Sequence, residues 1–223
     1  MSNTIRAFFA VEIPKKQILD NIAQYQEELQ KSIGPLKLVN PDKMHITLKF
    51  LGNIDEGVAA ELYSFMMEKV NQDYIQNLQQ PFKIKLKSVG DFRKRVFFVD
   101  IVEGIDHLRR IHDILEEKTR TIPGIKQDKR KYTPHITIAR NKGKGGRNNP
   151  GQILYKKLKH TYEETVFGEW TVSGIVLKKS VLTPQGPIYS NLQYWIVKIS
   201  LGFENRNMSN KRSCLFLITK PNH

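Results

Sequence analysis

Met44-His45-Ile46-Thr47-Leu48-Lys49-Phe50-Leu51-Gly52 is the segment around which the chain is organised, and it has a counterpart 90 positions later in Pro134-His135-Ile136-Thr137-Ile138-Ala139-Arg140. Each stretch places a histidine and a threonine two residues apart in a run of branched and apolar residues. Alternate side chains of an extended strand point to the same face, so the histidine and the threonine project together. Two such strands that face one another would line a cleft with two imidazoles and two hydroxyls.

A strand-helix-strand pattern leads into each of the two stretches. Phe8-Phe9-Ala10 begins the unit that ends at His45, and Phe97-Phe98-Val99 begins the unit that ends at His135. The two Phe-Phe pairs are 89 residues apart and the two histidines are 90 residues apart. This near-equal spacing predicts an internal duplication with two lobes. A pseudo-twofold arrangement of the lobes would bring the two His-x-Thr strands together.

Local signals predict the boundaries of the remaining elements. Gly52-Asn53 is expected to break the first motif strand, and residues 90–95 are expected to form a turn. Residues 167–177 and 188–201 are each expected to form one strand. The glycine-rich segment 140–151 carries Arg140, Lys142, Lys144 and Arg147, so it is either a mobile loop that contacts a polyanion or an ordinary solvated linker. The tail over residues 202–223 either adds an edge strand or is disordered.

Composition points to a globular, basic protein. The 223 residues carry a formal net charge of +14 and a sequence pI near 9.8, which favours a polyanionic partner such as RNA or DNA over a generally basic surface without one. The lone Cys214 is compatible with a reducing compartment. The N-terminus lacks the pattern of a signal peptide, and no apolar run approaches the roughly 20 residues of a membrane helix. We therefore expect a soluble, cytoplasmic monomer that does not bind membranes.

The six histidines occur in different settings. His107 and His112 lie five residues apart in one predicted helix, His160 follows a basic run and His223 ends the chain, so these four are expected at the surface. His45 and His135 are the candidate functional pair, although a lone His-x-Thr is a weak motif and both residues could be structural. A zinc site is a further alternative, but two histidines without a third nearby ligand make a poor one.

Two imidazoles suit metal-free cleavage of a phosphodiester. With an ordinary pKa near 6.5, one ring is able to take a proton from water while the other, protonated, donates to the leaving oxygen. The hydroxyls of Thr47 and Thr137 would hold the phosphate oxygens between the two rings.

The paired His-x-Thr runs, with Arg6-Ala7-Phe8-Phe9-Ala10-Val11 and the later segment from Ser180 to Tyr189, resemble the two-histidine phosphoesterase superfamily. The branch they resemble is that of the RNA 2′,3′-cyclic phosphodiesterases, also called 2′-5′ RNA ligases. This resemblance implies an α+β, bilobal duplicated fold in which two antiparallel sheets face a central cleft, with helices outside. It places one two-lobed phosphoesterase domain over residues 1–201.

The same resemblance implies hydrolysis of RNA 2′,3′-cyclic phosphate ends to 2′-phosphates, with no metal and no cofactor. His45 would protonate the departing 3′ oxygen and His135 would activate water, or the two roles would be exchanged. Phe50 matches a position that stacks on the terminal base, with core packing as its alternative. Arg140 matches a phosphate-binding arginine, but strand alternation places it opposite His135 unless the strand ends or bulges there.

Two other activities remain open from the sequence. The same two histidines would support 2′-5′ ligation of tRNA-like halves, which is the reverse chemistry. A non-catalytic RNA-binding module would keep the fold and the charge, but binding alone does not require both histidines and both threonines.

Overall fold

The computed structural model describes residues 4–128, 130–141, 151–184, 186–199 and 214–219. The predicted basic loop after Asn141 and most of the tail after residue 201 lie outside these residues. Within the tail, Cys214–Thr219 forms a strand, which is one of the two expected alternatives.

The secondary-structure elements alternate along the chain. The strands are β1 (Thr4–Glu12), β2 (Lys37–Leu38), β3 (His45–Asp55), β4 (Lys83–Phe92), β5 (Val96–Glu103), β6 (His135–Arg140), β7 (Val166–Thr171), β8 (Val176–Thr183), β9 (Gly186–Asn191), β10 (Tyr194–Ile199) and β11 (Cys214–Thr219). The helices are α1 (Lys16–Ile33), α2 (Glu56–Phe65), which continues as a π-helical segment (Met66–Gln76), α3 (Ile105–Thr119) and α4 (Gly151–Thr161).

Nine of the described strands form one antiparallel sheet in the order β7-β4-β5-β6-β3-β1-β8-β9, with β2 paired to β6. The two motif strands, β3 and β6, are neighbours at its centre and pair through Ile46 and Ile136. The α+β class is confirmed, but the expected separation into two large sheets is not, because this central pairing joins the halves. A second, two-stranded sheet contains only β10 and β11 among the described residues.

The helices bury the isoleucine side of the motif strands. Ile46 and Ile136 are fully buried, together with Phe9 of β1 and Phe97 of β5. Helix α1 packs against β6 and β7, whereas α3 packs against β3. Each of these helices therefore covers the motif strand that belongs to the other half of the chain. The opposite face of the motif strands is left for the histidines and threonines.

Four expected boundaries are wrong, and one of them concerns residues 188–201, which divide between β9 in the large sheet and β10 in the small one. Strand β3 passes through Gly52, which adopts φ +76, and reaches Asp55, because a backbone irregularity absorbs the glycine without ending the pairing to β1. Strand β4 continues to Phe92, so the turn is confined to residues 93–95. Residues 167–177 divide between β7 and β8, which pair with different neighbours, β4 and β1.

The hydrogen-bonding registers of the two halves correspond in an unexpected way. Phe9 pairs with Lys49 on β3, and Phe97 pairs with Ala139 at the same position of β6. The first phenylalanine of the second pair therefore corresponds to the second phenylalanine of the first pair. The two Phe-Phe dipeptides are therefore shifted by one residue relative to each other in the paired strands. Their spacing in the sequence does not by itself align the two halves.

No helix in the described residues combines the length and apolarity needed to cross a membrane.

Two phenylalanines on adjacent central strands test this description of the core. Phe9 is fully buried, whereas Phe50 is 63% exposed. Phe9→Ala should lower the free energy of unfolding by about 3–5 kcal/mol, because a large side chain is removed from a packed core. The matched Phe50→Ala should change it by no more than about 0.5 kcal/mol. Urea unfolding monitored by circular dichroism measures both free energies of unfolding. A large decrease for Phe50→Ala would show that Phe50 packs in the core.

Candidate active site

A bulge in β3 places Phe50 on the same face as His45 and Thr47. Phe9 of β1 pairs with Lys49, and the next residue, Ala10, pairs with Thr47, so Leu48 is an extra residue in β3. An extra residue resets the alternation of side chains beyond it. Leu48 and Lys49 are consequently both buried, and Phe50 faces solvent.

Strand β6 contains the same bulge at the same place. Phe97 of β5 pairs with Ala139, and Phe98 pairs with Thr137, so Ile138 is the extra residue. The bulge brings Arg140 to the face that carries His135. Strand alternation alone would have placed this arginine on the opposite face, so a bulge was needed. The six residues that begin at each histidine are buried and exposed in the same order. Each series starts at a half-buried histidine and ends at an exposed residue, Phe50 in β3 and Arg140 in β6.

The central pairing brings the four motif side chains together. Because Ile46 pairs with Ile136 in antiparallel register, continuing that register places His45 beside Thr137 and Thr47 beside His135. All four side chains project from the face opposite the two buried isoleucines. The tertiary structure therefore assembles the site that neither stretch forms alone.

Both imidazoles are oriented by the same hydrogen bond. His45 Nδ1 donates to the carbonyl of Lys43 at 2.8 Å, and His135 Nδ1 donates to the carbonyl of Thr133 at 2.7 Å. A carbonyl oxygen only accepts, so Nδ1 carries the proton in each ring. In the neutral state Nε2 is then the unprotonated nitrogen, and it is the atom through which each ring exchanges a proton with a ligand.

Aromatic rings surround each histidine. The ring of His45 lies 4.9 Å from that of Phe8 and 5.4 Å from that of Tyr189, measured between centroids. The ring of His135 lies 4.9 Å from that of Phe92 and 5.3 Å from that of Phe98. These contacts fix the ring planes and exclude water from their sides. Tyr189 belongs to the segment from Ser180 to Tyr189 that carries the family resemblance, but nothing in the sequence predicted its contact with His45.

Burial lowers the pKa of both histidines from the ordinary 6.5, because desolvation disfavours the imidazolium. At His45 the hydrogen bond to Lys43 opposes this effect, Lys178 and His135 lower the pKa further, and Glu12 raises it. At His135 the hydrogen bond to Thr133 and the charge of Asp100 raise the pKa, and Arg140 lowers it. Each ring thus has one carboxylate and one cation near it.

A polar network beside His45 was not anticipated from the sequence. Lys178 Nζ donates to Glu12 Oε1 at 2.6 Å and to Asn191 Oδ1 at 2.7 Å, which binds β8 to β1 and β9. Glu12 pairs with His45 across the two strands. Its pKa is lowered because hydrogen bonds from Lys178 and Asn191 outweigh the opposing desolvation. The network holds a charged pair at the edge of the imidazole.

The positive charge of Arg140 acts on groups in both halves of the site. Its charge lowers the pKa of His135 on its own strand and also acts to lower that of Tyr189, which contacts His45. Arg6 acts on Tyr189 in the same direction. The site therefore contains guanidinium charge near His135 and near Tyr189, which suits an anionic ligand.

Polar side chains on the core side form hydrogen bonds to the backbone of the β3 bulge. His112 of α3 donates from Nδ1 to the carbonyl of Leu48, the extra residue of β3, at 2.8 Å. Tyr132 stacks on the His112 ring at 4.1 Å and donates to the carbonyl of Thr47 at 2.9 Å. Lys49 is buried beside them and donates to Glu116 at 2.6 Å. The expectation that His112 is a surface residue is wrong, since only 12% of its side chain is exposed.

Gln26 of α1 performs the corresponding task for β6. Its Nε2 donates to the carbonyl of Ile138, the extra residue of β6, at 2.7 Å and to that of Val39 at 2.8 Å. Gln26 is 3% exposed. The sequence contains a weak signal for both residues, because each is a polar side chain beside the apolar stripe of its helix.

The remaining histidines lie elsewhere. His107 is half-buried, stacks on Phe82 at 4.5 Å and bonds to Tyr74, so the surface expectation is wrong for it too. His160 is exposed as expected, and His223 lies outside the described residues. Within the described part of the chain, no group of three or more His, Cys, Asp or Glu side chains could hold a metal ion.

Comparison with known proteins decides the family. The model of the AKAP7 2′5′ RNA ligase-like domain matches residues 7–192, which include both motif strands. The chain belongs to this family. The resemblance inferred from the paired motifs is confirmed.

Curated relatives of this family member share one name. The RNA 2′,3′-cyclic phosphodiesterase of Methanocaldococcus jannaschii is 35% identical over 196 residues, which cover 86% of this chain and 100% of the relative. The protein of the same name from Aeropyrum pernix is 35% identical over 183 residues, covering 78% and 94%.

Solved structures share the architecture. The protein TT0787 of Thermus thermophilus has a TM-score of 0.65 and 26% identity, with 85% of this chain and 96% of that chain covered. E. coli LigT complexed with 3′-AMP has a TM-score of 0.62 and 21% identity, covering 86% and 98%, and this likeness concerns the fold alone.

Histidine titration by NMR tests the electrostatics of the site. Both His45 and His135 should titrate below pH 6.5 in the free protein. Lys178→Met should raise the pKa of His45, because it removes a nearby positive charge and leaves Glu12 unneutralised. Lys179→Met is the matched control, since the neighbouring residue of the strand projects from the opposite face. Equal effects of the two substitutions would contradict the assigned role of Lys178.

Replacement of His112 tests the support of the β3 bulge. His112→Leu should lower the free energy of unfolding by about 1–3 kcal/mol, because the Leu48 carbonyl loses its buried donor. His112→Asn should recover part of this loss, since the amide nitrogen occupies the place of Nδ1. Urea unfolding provides the comparison. Equal stability of the Leu and Asn variants would show that the hydrogen bond contributes nothing.

Proposed function

We propose that this protein is an RNA 2′,3′-cyclic phosphodiesterase, a phosphoric diester hydrolase that converts terminal 2′,3′-cyclic phosphates to 2′-phosphates without a metal ion. The observation that carries the proposal is the pair of identically oriented imidazoles, one on each central strand, each with Nδ1 held by a carbonyl two residues earlier. The names of the curated relatives support the same reaction.

The two Nε2 atoms divide the proton transfers. His135, neutral, takes a proton from the attacking water, and His45, protonated, donates to the departing 3′ oxygen; the near symmetry of the two environments permits the reverse assignment. One proton is removed and one is delivered, so the pair finishes with exchanged protonation states and is reset by exchange with solvent. Burial keeps one ring neutral near pH 7, which the base requires.

The surrounding side chains bind the anionic end of the RNA. The hydroxyls of Thr47 and Thr137 donate to the non-bridging phosphate oxygens, and Arg140 contributes a guanidinium. A negatively charged ligand also favours the imidazolium, and so offsets the lowered pKa of the acid when substrate is bound. Phe50, exposed at the end of the bulge, stacks on the terminal base.

The internal duplication belongs to this proposal as well. It is supported by equal burial along β3 and β6, by a bulge at the same position of each strand, and by a helix residue that holds each bulge. A single two-lobed unit over residues 1–201 follows from it. The chain acts as a monomer, because the two halves together already provide both histidines.

Ligation of 2′-5′ ends is the second candidate, since the same acid and base would serve the reverse reaction. In dilute solution the high concentration of water favours hydrolysis. The family model carries the words RNA ligase-like, which is the observation that keeps this candidate.

An assay in chelator tests the reaction and its catalysts. An oligoribonucleotide with a 2′,3′-cyclic phosphate end, incubated with the protein in excess EDTA, should gain one water and yield a 2′-phosphate, identified by mass and by phosphatase sensitivity. His45→Ala and His135→Ala should each reduce kcat by about 100-fold or more, since each removes a general acid or base.

His107→Ala is the matched control, because it removes a histidine from the opposite side of the sheet, and its kcat should stay within about twofold of wild type. RNA binding by the His45 and His135 variants should persist. Turnover that EDTA abolishes would refute the metal-free mechanism, and near-normal activity of either histidine variant would refute the assignment of the pair.

A further inference from the structure

A second aromatic ring borders the site on the side opposite Phe50. Phe50 and Phe92 are the exposed phenylalanines of the described residues, at 63% and 39%. Phe50 contacts Phe8, which contacts His45, whereas Phe92 contacts His135 directly at 4.9 Å. The two histidines therefore lie between two exposed phenylalanine rings. The proposed reaction uses Phe50 and gives no role to Phe92.

Phe92 is held as a fixed surface rather than a free side chain. One side of its ring packs on Phe98, with the centroids 4.5 Å apart and the planes inclined by 35°. Phe98 in turn fills the space above Gly90, where a Cβ would lie 2.4 Å from the ring. A supported ring with one exposed face is the arrangement on which nucleic-acid bases stack.

The turn that follows Phe92 concentrates positive charge. Arg93, Lys94 and Arg95 succeed one another between β4 and β5, and both arginines are exposed. The nearby carboxylate, Asp91, is engaged within the fold: it accepts from the Lys94 backbone N–H at 2.7 Å and from Tyr155 at 2.9 Å. Segment 91–95 thus carries three positive charges and one negative charge.

Hydrogen bonds fix this turn relative to the site. The Arg95 N–H donates to the carbonyl of Phe92 at 3.0 Å, and the carbonyl of Arg95 accepts from Asn141, which follows Arg140 at the end of β6. Arg93 and Lys94 adopt φ of 52° and 53°, a tight left-handed turn. The guanidiniums are therefore presented from a backbone that is tied to the same strand as His135.

The other side of the site carries charges of both signs. Beyond Phe50, β3 ends at Asp55, which is followed by Glu56. Arg6 pairs with Asn53 beside these two carboxylates, so positive charge predominates only at the turn after Phe92, which attracts a polyphosphate strand more strongly. Among the described residues, an RNA with its terminal base on Phe50 is therefore attracted past His135 and over Phe92.

We propose that Phe92, Arg93 and Arg95 form a subsite for the nucleotide that precedes the cyclic end, with its base on Phe92 and its backbone phosphates at the two arginines. This proposal rests on the proposed function and adds where the nucleotide before the reacting end is bound. The enzyme then distinguishes an RNA strand from a cyclic mononucleotide by contacts outside the reacting phosphate.

Two substrates separate this subsite from the catalytic centre. The kcat/KM for uridine 2′,3′-cyclic monophosphate is compared with that for a hexauridylate ending in a 2′,3′-cyclic phosphate. The wild type should prefer the hexanucleotide. Phe92→Leu should reduce this preference by about 5- to 150-fold, the range produced by loss of one base–aromatic stack. Arg93→Gln/Arg95→Gln should reduce it too, and should lower the slope of log kcat/KM against log salt by about 0.7 per lost phosphate contact.

Arg109→Gln/Arg110→Gln is the matched control, because it removes two exposed arginines from α3, on the far side of the sheet. Its preference should equal that of the wild type. An unchanged preference in the Phe92 and Arg93/Arg95 variants would overturn the subsite, and so would an equal loss on both substrates.

A binding measurement tests the subsite independently of turnover. The ligand is a hexauridylate that ends in a 2′-phosphate, and its binding is measured by fluorescence anisotropy. The Arg93/Arg95 variant should bind it more weakly than the Arg109/Arg110 variant. If the wild type cleaves neither substrate, the proposed function fails, but this binding difference still supports the subsite. If cleavage occurs and the binding difference is absent, the subsite alone fails.

Discussion

The site depends on two backbone bulges whose polar groups lie inside the protein. At Leu48 and Ile138 an extra residue turns a carbonyl toward the helices, where water does not reach it. A buried carbonyl without a donor costs about 1–3 kcal/mol, so each bulge requires a polar partner in an otherwise apolar layer. His112 and Gln26 meet this requirement. Without the bulges, Phe50 and Arg140 would point into the core.

The exchange of helices between the halves couples the two motif strands. Helix α3, which precedes β6 in the chain, holds β3, and α1, which precedes β3, holds β6. Each strand is therefore positioned by the half of the chain that provides the other histidine. Displacement of either helix would move a histidine and the bulge that follows it, which links the stability of the fold to the geometry of the site.

Much of the site could be predicted because strand alternation is a local property. The shared face of His45 and Thr47, and that of His135 and Thr137, follow from spacing alone. Phe50 and Arg140 required the bulges, which depend on pairing with β1 and β5 and on donors from distant helices. His112 was misplaced because its five-residue spacing from His107 suggested the surface, whereas a buried carbonyl made an inward imidazole favourable. Tyr189, Phe92 and Lys178 reach the histidines from other strands, and no local pattern marks them.

Residue identity and spacing were enough to indicate the family, the candidate pair of histidines and the basic character of the protein, because all three are read along the chain without knowledge of its path. The pairing of β3 and β6 at the centre of one sheet required the folded chain. So did the two bulges that turn the next exposed side chain into the site, and the second ring and basic turn that border His135. These features arise from contacts between residues far apart in the chain, where backbone hydrogen bonds and burial, rather than sequence proximity, select the neighbours.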